Sequence, residues 1–237
     1  MNALMNAAHK LDRKKGLDLI LHTPGGLVSA TEAIGNYLHA LFNGDIRCFV
    51  PQLAMSGGTM LACSCREIWM GKESNIGPID PQFGGIPAHG ILEEFEQAAR
   101  EIKDHPERIP LWQSIIGKYH PTFICECQHA IELSSEVVTE WLTVGMFNDL
   151  KRKEARARAK KIVGKLNNHR TTKIHSRHIN AIKAKSYGLK IKDLEDDNDL
   201  QDLVLTLHHI YMQVFNETKV CKIVENDIGG ATFFNSQ

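Results

Sequence analysis

Short apolar runs alternate with helical periodicities through the first third of the chain. Residues 17–22 (Leu-Asp-Leu-Ile-Leu-His) read as a strand and Thr23-Pro24-Gly25-Gly26 as a glycine turn. Leu27, Ala30, Ile34, Tyr37, Leu38 and Leu41 then recur at the spacing of one helix face. The unit repeats, with a strand from Ile46 to Val50, a loop from Pro51 to Met55, a small-residue helix from Ser56 to Ser64 and a strand from Glu67 to Met70. This alternation predicts an α/β fold, a mostly parallel sheet with crossover helices. Leu4, Met5, Ala8 and Leu11 already have the pattern of a helix interior, which implies that an upstream strand is missing.

Residues 71–87 are rich in turn formers, and a helix charged on one face is expected from about Gly90 to Lys103. Residues 122–166 read as nearly continuous helix with breaks at Gly145 and Asn148. A helix near Asn180 to Tyr187 ends at Gly188 and runs into Leu189-Lys190-Ile191, ahead of a terminal helix from about Leu200 to Phe215. The expected division is a core over 1–121 and a helical region over 122–237 that returns briefly to the core near 179–192.

At 237 residues and 43% hydrophobic content, the chain can bury a large core. Its 28 basic and 28 acidic residues cancel, so no overall field argues for nucleic acid as a partner. Cys48, Cys63, Cys65, Cys125, Cys127 and Cys221 match no common zinc spacing and read as reduced thiols. No secretory leader is recognisable and no apolar stretch approaches the ~20 residues of a membrane span. A cytoplasmic protein is expected, with membrane association only through an absent upstream segment.

A serine hydroxyl becomes a nucleophile when it is fixed in place, relieved of its proton and faced with donors for the developing oxyanion. Ala54-Met55-Ser56-Gly57-Gly58 follows a strand and opens a helix, so Ser56 would stand at the sheet edge beside unobstructed glycine amides. Gly25-Gly26 lies at the end of the preceding strand, where open α/β sheets place ligands. The alternative is an ordinary turn and a serine helix cap.

Residues 19–26 (Leu-Ile-Leu-His-Thr-Pro-Gly-Gly), 54–59 (Ala-Met-Ser-Gly-Gly-Thr) and 74–82 (Ser-Asn-Ile-Gly-Pro-Ile-Asp-Pro-Gln) resemble the serine dehydrogenase proteinase family. That family groups with signal peptide peptidase A (S49 type) and the Clp proteolytic subunit. The resemblance continues into Ile86-Pro87-Ala88 and through Ala184 to Ile191. It implies a ClpP/crotonase-like fold, Ser56 as nucleophile, oxyanion amides from Gly26 and Gly57, and a homo-oligomer.

Clp subunits place a histidine where this chain has Ile79-Asp80-Pro81, and His89 falls after that loop, so a Clp-type triad is not expected. Signal peptide peptidase relatives use a lysine, which must be buried to act as a base. The candidates are Lys118, between Ile115-Ile116 and a helix, and Lys103, flanked by Glu101 and Asp104. Lys118 is preferred, as its loop position is similar to that of the relatives' lysine. Asp80 would orient the base or line the cleft, or be a turn residue.

His169, His175 and His178 around Arg170 and Arg177, with His208-His209, match no compact metal motif, so no metal is expected. Eight basic residues between Lys151 and Lys165 read as a solvated or intersubunit face. Leu27, Val28, Ala30 and Ile34 would line a substrate groove or form the buried stripe of a crossover helix. The reading is a serine endopeptidase acting on peptide or protein through a Ser56–Lys118 dyad, without cofactor. Its alternatives are a crotonase-like acyl-thioester enzyme and a catalytically inactive binding module.

Overall fold

The computed structural model describes residues 1–168, 172 and 174–236. Strand β1 (Leu17–Ile20), helix α2 (Val28–Phe42), strand β2 (Ile46–Val50), the two-residue strand β3 (Leu53–Ala54), helix α3 (Gly57–Cys63) and strand β4 (Glu67–Met70) follow a short first helix, α1 (Asn2–Ala8). Strand β5 (Asn75–Ile76) and the small hairpin β6 (Gln82–Phe83) and β7 (Ile86–Pro87) come next. Helices α4 (Ala88–Asp104), α5 (Ile109–Ile116), α6 (Phe123–Trp141) and α7 (Arg152–Leu166) form the middle of the chain. The last part holds β8 (Ile179–Asn180), α8 (Ala181–Tyr187), β9 (Ile191–Asp193), α9 (Asn198–Glu217) and the hairpin β10 (Val220–Glu225) and β11 (Ala231–Asn235).

Strands β1-β2-β4-β9 form a sheet in which every pairing is parallel, as the alternation predicts. Both of its faces are covered, the usual condition of a parallel sheet. Ile46, Cys48 and Val50 of β2 and Ile68 and Met70 of β4 join Leu38 and Phe42 of α2, Val138 and Trp141 of α6 and Ile162 of α7 in the main core. Phe49 and Trp69 alternate to the other face, under Val204 and Leu200 of α9. A second sheet, β3-β5-β8, has β3 and β5 parallel and β8 antiparallel to β5, and Thr23, just past β1, bridges Ala54 of β3.

Residues 83–131 form a lobe with its own small core, in which Ala88, Ile91 and Cys127 pack with Phe83, Phe95, Tyr119 and Phe123. The helix expected over 122–166 is two helices joined by a π-helical turn (Leu142–Met146) that contains Gly145. All six cysteines are unpaired thiols. Among the described residues, no helix is long and apolar enough to cross a membrane.

Candidate active site

Ser56 stands between β3 and α3 with φ 50° and ψ −115°. This is neither the extended geometry of a helix cap nor the left-handed well, and it costs a β-carbon-bearing residue about 1–3 kcal/mol. Its hydroxyl makes no capping bond to α3, so the ordinary serine cap is not what is built here. A strained strand-to-helix turn that lifts a serine hydroxyl above the sheet edge is the geometry of a nucleophile elbow.

The strain is held by a dense local network. The Thr23 amide donates to Leu53 O (2.9 Å) and the Met55 amide to Thr23 O (3.0 Å), which docks the glycine loop alongside the elbow. The buried Thr59 hydroxyl donates to Ala54 O (2.7 Å) and accepts from the Gly77 amide (2.8 Å), so three segments meet on one oxygen. The Gly25 amide donates to Thr23 Oγ1 (3.1 Å). Gly25 has φ +121°, and a methyl group there would lie 2.8 Å from Ser56 Cβ and 3.4 Å from the Gly57 nitrogen. Only glycine fits both the conformation and the contact.

A methyl group placed on Gly57 would sit 3.2 Å from the Gly26 nitrogen, whereas one on Gly26 would meet nothing within 4 Å. Gly25, Gly26, Ser56 and Gly57 therefore converge, and Gly26 opens onto solvent. Among the described residues, neither the Gly26 nor the Gly57 amide donates a hydrogen bond. Two unengaged amides beside a raised hydroxyl can receive an oxyanion. Leu27, 76% exposed, borders the opening, while Thr31, one turn into α2, is buried and donates to Leu27 O (3.0 Å).

Lys118 is elsewhere. It lies in the turn after α5, exposed, its amide bonded to Ile115 O, and among the described residues its amine is not within hydrogen-bond reach of Ser56. Lys103, at the end of α4, is exposed as well. His89 opens α4 and contacts Asn167 Oδ1 at 3.4 Å.

Asp80 is fully buried, and its Oδ1 lies 3.0 Å from Nδ1 of His175, whose side chain is 21% exposed. The sequence does not reveal this pair, since His175 falls in a polar stretch that matches no compact metal motif and favours a structural role. His178 is exposed, and His169 and Arg170 lie outside the described residues. Among the described residues, no three His, Cys, Asp or Glu side chains are placed to hold a metal ion.

The second histidine group is His22, just before the glycine loop, whose ring centroid is 4.8 Å from that of His208 on α9. Among the described residues, the buried His22 Nδ1 has no hydrogen-bond partner. Burial lowers His22, and burial with repulsion from His22 and His209 brings His208 down to about 4. On α7, Arg152 and Arg156 pair with Glu140 and Arg158 with Glu154, so part of the basic run is neutralised locally. A cavity of about 500 Å³ lies between α4, α6 and α7, lined by His89, Glu93 and Asn167 rather than by Ser56.

Residues 2–110 match the family described as ClpP-like SDH-type serine proteinase, and the parallel sheet with its helices is the ClpP-like α/β fold. Two uncharacterised proteins of Methanocaldococcus jannaschii are similar in sequence. One is 30% identical over 210 residues, 89% of this chain and 63% of that protein. The other is 41% identical over 88 residues, 37% of this chain and 30% of that protein. The chain thus spans less than two thirds of either relative.

Proposed function

We propose that this chain, which over residues 2–110 belongs to the ClpP-like SDH-type serine proteinase family, is a serine endopeptidase that works by acylation of Ser56. The observation that carries the reading is the elbow itself, a serine at φ 50° held against two unengaged glycine amides. A surface turn would gain nothing from about 1–3 kcal/mol of backbone strain, and strain of this kind gathers at functional sites.

In the reaction, a base takes the Ser56 proton while Oγ bonds the scissile carbonyl carbon. The Gly26 and Gly57 amides hold the resulting oxyanion, an interaction whose loss lowers turnover by about 10²–10³ per donor. The C–N bond then breaks, the base returns its proton to the leaving amine, and water repeats the sequence on the acyl-enzyme. Gly26 faces open space, which suits an extended peptide better than an enclosed small molecule. Lys118 can serve as the base only in an arrangement that buries it against Ser56, through movement of the 83–131 lobe or from a second subunit.

The substrate is a peptide or protein, no cofactor takes part, and the protein acts as a homo-oligomer in the cytoplasm. The test is cleavage of a fluorogenic peptide library and of unfolded casein by the parent and by Ser56→Ala. Turnover by the parent that disappears in the variant supports the reading. A parent that hydrolyses neither substrate but turns over acyl-coenzyme A, with Ser56→Ala equally active, supports the thioester enzyme instead.

A further inference from the structure

Two helices that cover the parallel sheet differ in charge as much as in place. Helix α7 packs Ala155, Ala159, Ile162 and Leu166 into the main core, whereas Leu200 and Val204 of α9 cover Phe49 and Trp69. Successive residues of β2 point to opposite sides, so the two helices lie on opposite faces of the sheet. Two packed layers separate them, about 20 Å at roughly 10 Å per layer. The Debye length at physiological salt is about 8 Å, so neither helix neutralises the other within one molecule.

Residues 151–165 carry eight basic side chains and one acid. Arg152 and Arg156 share Glu140, Arg158 pairs with Glu154, and Lys165 donates to Ser186 O. Lys151, Lys153, Lys160 and Lys161 are exposed, and among the described residues none of the four is in an ion pair. Residues 193–202 carry six acids and no base. Asp193 pairs with Lys185, Glu195 accepts from the Lys72 amide and Asp197 caps α9. Asp196, Asp199 and Asp202 are exposed and, among the described residues, in no ion pair. The two excesses are opposite in sign and similar in size, in a chain whose formal charge is zero.

The outer stripe of α9 adds apolar area to its acids. Asp199, Asp202, Leu203, Thr206 and Ile210 recur at helical spacing and are all exposed, Leu203 by 69% and Ile210 by 52%. On α7 the outer stripe is Lys153, Ala157, Lys160 and Gly164, so short residues alternate with lysines. A partner suited to α9 offers cations around shallow, short-chain positions, and α7 has that surface. A nucleic acid suits α7 less well, because no aromatic side chain stands on the helix to stack a base. We infer that the α9 face of one copy docks on the α7 face of a second copy of this chain. This builds on the homo-oligomer proposed above and is independent of the chemistry at Ser56. Unlike faces on opposite sides cannot both be satisfied in a dimer, so copies join head to tail and close into a ring or extend as a filament.

The experiment is size-exclusion chromatography with light scattering on the full chain, at about 0.05 M and about 0.5 M salt. The parent should form assemblies larger than a dimer at low salt, with a dissociation constant about tenfold or more higher at high salt. One variant combines Lys153→Glu, Lys160→Glu and Lys161→Glu, and another combines Asp196→Lys, Asp199→Lys and Asp202→Lys, with folding checked by circular dichroism. Each alone should weaken assembly by about 100-fold or more, since it sets like charges against each other. Mixed in equal amounts they should assemble again, because the reversed α7 face of one meets the reversed α9 face of the other. Should a triple variant not fold, Lys160→Glu and Asp202→Lys alone must show the same loss and rescue. A parent that assembles no better than either folded variant overturns the face assignment and leaves the homo-oligomer standing, as do folded variants that stay apart when mixed. A parent that stops at a dimer overturns the head-to-tail contact. A parent that is monomeric at both salts sinks the contact and the homo-oligomer together. A monomeric parent that binds a single-stranded oligonucleotide, with binding lost in the lysine variant, assigns α7 to nucleic acid instead.

Discussion

Around Ser56 hydrogen bonds tie several distant segments together, whereas around Lys118 the backbone bonds stay within one local turn. In the first region, Thr23, Leu53, Met55, Thr59 and Gly77 close a hydrogen-bonded ring about a strained serine, and every residue of α3 is buried. In the second, α5 buries only Trp112, Leu111 is 59% exposed and Lys118 extends into solvent. Strain persists only where the surroundings over-determine it, so the first region can hold a reactive geometry and the second cannot hold one unaided.

The largest effect should follow from disturbing the tight region. Gly25→Ala would force a β-carbon into a φ of +121° and against Ser56 Cβ. Stability should fall by about 1–3 kcal/mol, and fluorophosphonate labelling by about 100-fold or more as the oxyanion amides shift. Urea denaturation and labelling rates measure the two. A variant that labels like the parent would mean that the loop does not shape the site.

The pH response tests how firmly α9 holds the glycine loop. An unfolded histidine titrates near pH 6.5, whereas native His208 is held down at about 4. Between those values the unfolded chain carries a proton that the native chain lacks. The stability from neutral His208 is therefore complete above about pH 6.5 and is lost as pH falls towards 4. With solvent screening allowed for, about 1–2 kcal/mol should disappear across this window. Urea denaturation near pH 7 and near pH 5 should show a smaller difference in His208→Gln than in the parent.

A smaller effect isolates the strain itself. Ser56→Ala and Ser56→Gly both remove the hydroxyl, but only glycine relaxes at φ 50°. The glycine variant should therefore be the more stable of the two by about 1 kcal/mol, read from their denaturation midpoints. Equal stability would show that the elbow is not strained. The smallest effect belongs to the loose region, where Lys118→Ala should change stability by no more than about 0.5 kcal/mol.

The same contrast explains what could be read from residues alone. Strands β2 and β4 are short, mostly apolar runs bounded by loops, with Arg47 and Glu67 as their charged members, and α2 carries a full helical period, so the parallel α/β layout was visible. Strands β3 and β5 were not, because two residues have no period and both lie within stretches rich in turn formers. Helix α5 lies in a segment given no element, and the hairpin β10–β11 does not alternate cleanly between buried and exposed positions.

In the site, the glycines and Ser56 were legible because backbone geometry restricts their residue types locally. The Asp80–His175 pair was not, because 95 residues separate its members and nothing local to His175 marks a partner. The case for Lys118 rests on its apolar and aromatic neighbours in sequence and on a loop position similar to that of the relatives' lysine, and neither fixes where its side chain lies in space.

The most direct measurement is peptide-mapped mass spectrometry of the folded protein after fluorophosphonate treatment, with Ser56→Ala alongside. One phosphonyl group on Ser56 of the parent, and none on the variant, is the predicted result. An unmodified parent, or a parent and variant modified equally at another residue, would contradict the assignment of Ser56 as the nucleophile.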